Sequence, residues 1–204
     1  MFGFFYTILV FLFSFFVFSF LLQNLAKVFL LQNQPRALKE AIEKVSEALG
    51  VAHLDTVMMA LPPTSLENDP LNEHLKASWL ELQQLVAAGS IASLGTSDLD
   101  VSQLETLYHW AEVKPVSNQV NLASCCVMPP ELTAFAKKFD IQLLTHNDAA
   151  DILPAAAFES AVGDALNIPA AGWTPVWVLR YSVVIKCRGV IKCKGFLVGA
   201  WRHL

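Results

Sequence analysis

From Arg36 to Leu49 apolar residues recur every three or four positions, which places Leu38, Ile42, Val45 and Leu49 on one side of a predicted amphipathic helix; Lys39 pairs with Glu43 along it and Gly50 stops it. Leu54 to Leu61 is a nearly continuous apolar run closed by Pro62 and Pro63, the pattern of a parallel strand buried on both faces. A second helix is predicted from His74 to Ala88, with Leu75, Trp79, Leu82 and Val86 inward and Gly89 as its cap, and a second strand from Ile91 to Thr96. Asp100, with Gln103 three residues on, has the form of a capping box, and Leu104, Leu107, Tyr108 and Ala111 make the buried stripe of the helix it opens, before Pro115. Asn118 to Ala123 follows as a strand, Pro129 and Pro130 open a helix carrying Leu132, Phe135, Ala136 and Phe139, and Ile141 to Thr145 is the next strand. Between Asn147 and Gly172 the pattern loosens into a predicted helical insertion. A last helix from Thr174 to about Ile185 and a fifth strand from Gly189 to Cys193 complete the reading.

Strands alternating with helices imply an α/β fold with a parallel sheet and right-handed crossovers, either doubly wound or a barrel. No G-x-G-x-x-G follows a strand, which removes the usual signature of a dinucleotide-binding doubly wound sheet and favours the barrel. A complete (β/α)8 barrel takes roughly 250 residues and eight strands. The expected fold is therefore a partial (β/α)8 TIM barrel over residues 35–204 that lacks its N-terminal units.

Charge and composition change this picture at one end only. A net charge of −4 leaves no excess of Lys and Arg to neutralise phosphates, so no nucleic acid partner is expected. Hydrophobic residues make up 54% of the chain, and the excess lies in residues 1–33, where nine of the 14 Phe fall between Phe2 and Phe20. Met1 to Leu22 is uncharged and long enough, as a hydrophobic N-terminal helix, to cross a bilayer. It lacks the positive start and small-residue cleavage site of a signal peptide. Two readings stay open: a membrane anchor, with Lys27, Arg36 and Lys39 holding the remainder on the cytoplasmic side, or a segment foreign to the mature protein. The four Cys, at Cys125, Cys126, Cys187 and Cys193, have no zinc spacing and form no disulfide framework, so no metal and a reducing, cytoplasmic setting are expected.

The most informative stretch runs from Glu81 through Cys126. A helix ending at Gly89 is followed by a strand closing on Gly95-Thr-Ser97-Asp98, and a later strand is entered through Pro115-Val-Ser-Asn118-Gln119. This resembles the aldo-keto reductases, whose corresponding strands end in G-x-S-N and begin with P-x-x-N-Q. The resemblance implies that Ser97 and Gln119 are vestiges of a nicotinamide carboxamide site for NADPH, with Asp98 in place of an Asn that would donate. It also implies a catalytic His at the end of the first predicted strand, where Ala60 stands. The Tyr, Lys and Asp of that chemistry are expected to be lost with the missing units, leaving no catalytic residue and no cofactor. An NADPH-dependent oxidoreductase is the alternative.

Within that family, the runs Gly95 to Asp100, Ser117 to Pro130, Phe139 to Asp148 and Leu179 to Val183 resemble the branch of regulatory (modifier) subunits of glutamate–cysteine ligase. What this implies is a non-enzymatic subunit that forms a heterodimer with the ligase's catalytic subunit, raises its affinity for glutamate and relieves feedback inhibition by glutathione. Cys125 and Cys126, just beyond a strand end, are a candidate redox pair or two small buried hydrophobes. His146, Asn147 and Asp148 also end a strand, and are read as caps of a loop or helix. Lys186, Arg188, Lys192 and Lys194 form a basic cluster read as a solvated rim, and Trp173 and Trp177 are read as core packing at a helix start.

Overall fold

The computed structural model describes residues 5–9, 22–32, 34–61, 73–121, 127–186 and 189–202. Among the described residues eight strands form one sheet: β1 (Phe5–Leu9), β2 (Leu22–Leu30), β3 (Leu54–Ala60), β4 (Ile91–Ser97), β5 (Ser117–Asn121), β6 (Gln142–His146), β7 (Trp173–Ile185) and β8 (Val190–Arg202). Their order is β1-β8-β7-β2-β3-β4-β5-β6. From β2 to β6 every neighbour is parallel, as the βα alternation requires; β7, β8 and β1 then add antiparallel strands on the free side of β2. The α/β partial barrel expected from the sequence is present.

Helices α1 (Ala37–Leu49), α2 (Glu73–Ala87), α3 (Val101–Trp110) and α4 (Pro130–Lys138) have the predicted punctuation. Gly50 closes α1 at φ 65°, a left-handed conformation that glycine reaches without a Cβ penalty. Asp100 caps α3 with both bonds of a capping box. The apolar sides of these helices form one core with Ala26, Val28, Leu30, Val57, Met59 and Leu94 of the sheet. On the opposite face, Phe29, Ala60, Val178 and Val198 gather with Phe158 and Val162 of α5 (Ala155–Leu166), the helix expected in the loose stretch, as a second, smaller cluster.

Two expectations are corrected. The helix from Thr174 to Ile185 is strand β7, in which Trp173 and Trp177 are buried. Its β-branched and aromatic residues suit a pleated surface, and pairing on both sides with β2 and β8 decides the conformation. Pro175 is tolerated because the ladder shifts register beside it. Gly195 and Gly199 of β8 lie opposite Tyr181 and Trp177, and a Cβ at either glycine would run into the aromatic ring. The fifth strand correspondingly extends to Arg202.

The hydrophobic opening is not helical in its described part. Phe5–Leu9 is an edge strand, and Leu22–Leu30 pairs with β3 and β7 inside the sheet. Ala26, Val28 and Leu30 face one side of this strand and Lys27 and Phe29 the other, and all five are buried. The remaining parts of the expected span, residues 1–4 and 10–21, lie outside the described residues. Among the described residues no helix is long and apolar enough to cross a membrane.

Candidate functional site

The parallel strands deliver their C-terminal halves to one rim, where Ser97 ends β4 and Asp98 follows it, Gln119 lies in β5 and Asn121 ends it, and His146 ends β6. Lys27 reaches this rim from the middle of β2, and Arg180 stands directly across from it on β7. Lys27 and Phe29 share a strand face, so the ammonium lies 5.0 Å from the Phe29 ring centre, with the Arg180 guanidinium 5.8 Å from the same ring.

Asp148, two residues past β6, is the hub. Its Oδ2 accepts from Lys27 Nζ at 2.7 Å, and its carboxylate takes both arms of the Arg180 guanidinium, the longer at 3.4 Å. His146 Nδ1 lies 2.9 Å from the same Oδ2. Lys27, Asp148 and His146 are nearly inaccessible, at 4%, 7% and 6% exposure, while Arg180 is 31% exposed. Burial by itself would push the Asp148 carboxyl up; hydrogen bonds from Lys27 and Arg180 outweigh it and hold the group below the usual aspartate value. Burial drives the Lys27 ammonium down from its ordinary value, outweighing the hydrogen bond and charge of Asp148 and the charge of Asp98 that favour it, and the Arg180 charge acts in the same direction as burial.

A second carboxylate closes the far side. Asp98 adopts φ 62°, unusual for a residue with a side chain, which turns it inward so that both oxygens lie 3.0 Å from His146 Nε2. The Asn121 backbone N–H and the Ser97 hydroxyl also donate to it, at 3.0 and 2.8 Å. Asn118 is fully buried and structural: it accepts from Thr96 Oγ1 and donates to the Leu99 carbonyl, which ties β4, β5 and the intervening loop together.

The residues expected to hold a nicotinamide carboxamide are thus brought to one place but already engaged. Gln119 Oε1 accepts from Lys27 Nζ at 2.9 Å, and Ser97 Oγ lies between Asp98 and His146. Gln119 Oε1 thus already accepts one bond, Ser97 already donates to Asp98, and Asp98 offers no donor where the motif has Asn. Ala60 is buried in the apolar cluster of Phe29 and Phe158. Cys125 and Cys126 lie outside the described residues; Cys193, which is described, is a free thiol that burial pushes up. Among the described residues no group of three His, Cys, Asp or Glu could hold a metal ion.

The sequence reading missed Lys27, Arg180, Asp148 and His146 as members of one site. It expected the lysine of the reductase chemistry to be lost with the absent units, yet a buried lysine, Lys27, stands on the strand before β3. The available signal was a single charge inside the apolar run Leu25 to Leu31, since a lysine is buried only when paired. Arg180 was assigned to a helix, and Asp148 was read as a cap.

Comparison with known proteins adds the family. The sequence matches the aldo/keto reductase family over residues 31–150, more than half of the chain. This chain belongs to the aldo/keto reductase family. Among curated relatives, this family member is 52% identical over 180 residues to the glutamate–cysteine ligase regulatory subunit of Mus musculus, covering 87% of this chain and 66% of that protein. The protein of the same name from Homo sapiens matches to the same extent, at 52% over 180 residues. The chain spans just under two thirds of the length of these relatives. A solved aldose reductase from Giardia lamblia superposes with a TM-score of 0.48 at 20% identity, covering 71% of this chain and 54% of that one.

Proposed function

We propose that this chain is a non-catalytic regulatory subunit that pairs with the catalytic subunit of glutamate–cysteine ligase, raises its glutamate affinity, weakens feedback inhibition by glutathione, and carries no nicotinamide cofactor. The observation that carries the reading is 52% identity over 87% of the chain to proteins named as that regulatory subunit. Three features at the strand ends support it. Ala60 stands where the family resemblance implies a catalytic His and is packed among apolar side chains. Gln119 and Ser97 are consumed by Lys27, Asp98 and His146. The buried Lys27 and the half-buried Arg180 are tied to Asp148, so no acid is poised to protonate a carbonyl.

The test is ligase activity against glutamate concentration for the purified catalytic subunit, with and without this chain, alongside gel filtration of the mixture. Co-elution with a lowered KM for glutamate and a raised inhibition constant for glutathione is the expected result. Separate elution with unchanged kinetics would falsify the pairing. The cofactor part is checked by NADPH fluorescence titration of the chain alone, where enhancement that saturates would restore the oxidoreductase reading.

A further inference from the structure

We propose that the strand-end cluster is a binding site for a small-molecule carboxylate, and that Asp148 is its built-in occupant, which the ligand displaces. The inference concerns a site on this chain alone and does not rest on pairing with the ligase.

Donors from two separate strands converge on one carboxylate, Lys27 from β2 and Arg180 from β7, and His146 of β6 lies beside it, its Nδ1 accepting from the Asp148 backbone N–H. Strands fix these donors rigidly, whereas the acceptor is carried outside any strand or helix, in the stretch between β6 and α5. The site is thus prepared by the sheet and filled by a connecting segment. A guanidinium fork with an ammonium beside it matches the planar, two-oxygen shape of a carboxylate. Phe29 forms an apolar wall under both cations, which suits the carbon attached to a carboxylate.

Charge balance explains why the site is never left open. Without Asp148, Lys27 would keep only the neutral Gln119 oxygen among its hydrogen bonds, and Arg180 would lose both of its own. Buried cations stripped of their counter-ion are strongly unfavourable, so the Asp148 carboxylate leaves only if another takes its place. Arg180 offers the entry, because it is the one member of the trio that solvent reaches appreciably, at 31% exposure.

The experiment is chemical rescue on the full chain with acetate and succinate as probes. Asp148→Ala is expected to gain thermal stability with acetate and to bind succinate roughly tenfold or more tightly than the wild type, because a ligand competing with a resident group is taxed by the fraction of time the site is open. The wild-type chain is expected to bind succinate more weakly, and the added change Arg180→Leu to abolish binding in both backgrounds. If Asp148→Ala folds but neither probe stabilises it, the site does not accept a free carboxylate. If it stays unfolded with acetate present, the free carboxylate has failed to replace the tethered one, and the proposal falls equally. If the variant is rescued but the wild type binds nothing, Asp148 is a permanent strut and displacement is wrong.

Discussion

Lys27 and Val28 are neighbours on β2, both almost completely shielded from water, and they are held there for opposite reasons. Val28 faces the core under α1 and α2, where Leu38, Ile42, Trp79 and Leu82 exclude water; its burial is favourable in itself and needs no specific partner. Lys27 faces the strand-end cluster, where its burial is costly and is tolerated only because Asp148 and Gln119 accept from it. One face of the strand is therefore robust to small changes of shape, while the other depends on every member of a polar set. A pleated strand alternates the direction of its side chains, so the two environments can lie one residue apart.

The largest expected effect comes from breaking the polar set at its hub. Asp148→Leu leaves Lys27 and Arg180 unpaired and is expected to lower stability by about 3–5 kcal/mol, whereas Lys27→Met combined with Asp148→Leu removes charge from both sides and recovers most of that loss. Urea unfolding of the two variants and of Lys27→Met alone measures the coupling; equal losses for the single and double variants would show that the charges do not act as a unit. On the apolar face, Leu38→Ala is expected to cost about 2–5 kcal/mol through lost burial and a residual cavity. A smaller effect is expected at Gly199, where a methyl group meets the buried Trp177 indole; Gly199→Ala should destabilise by about 1–3 kcal/mol, and the additional change Trp177→Leu should relieve the clash.

Acid separates the two faces most clearly. Asp148 is held below its ordinary value of 3.8, so the folded chain takes up that proton later than the unfolded chain does. The stability it contributes is present above that value and is lost as the pH falls through the lowered one. Acid unfolding followed by circular dichroism should therefore begin in that range, and Lys27→Met combined with Asp148→Leu should weaken the dependence. Glu40 on α1 gives the smallest effect, with the opposite sign. Burial raises its carboxyl from 4.5 to about 7, so the folded chain keeps a proton that the unfolded chain releases. Stability should decline as the pH rises across that window, and Glu40→Gln should flatten the slope.

Much of the fold was legible because local chemistry and tertiary structure agree from α1 to β6. The Leu38, Ile42, Val45 stripe, the left-handed Gly50 and the Asp100–Gln103 box each specify an element boundary within a few residues, and parallel strands read as apolar runs since both their faces are covered. Ser97 and Gln119 were located on the correct rim by their motif. Agreement stopped where a segment's conformation depends on strands far away in sequence. Val176, Trp177 and Leu179 to Tyr181 suit a helix by spacing and a strand by composition, and only the pairing of β7 with β2, about 150 residues earlier, resolves the choice.

The sequence by itself determined the alternating α/β core, the caps and turns that punctuate it, and the apolar residue at position 60. These are written in short-range patterns that any compact solution must satisfy. Tertiary structure alone decided that Leu22–Leu30 is a sheet strand and that Lys27, His146, Asp148 and Arg180 meet at one point. Coulombic and hydrogen-bonding partners are chosen by distance in space, and a chain that brings residues 27, 148 and 180 together leaves no trace of that meeting in their sequence spacing.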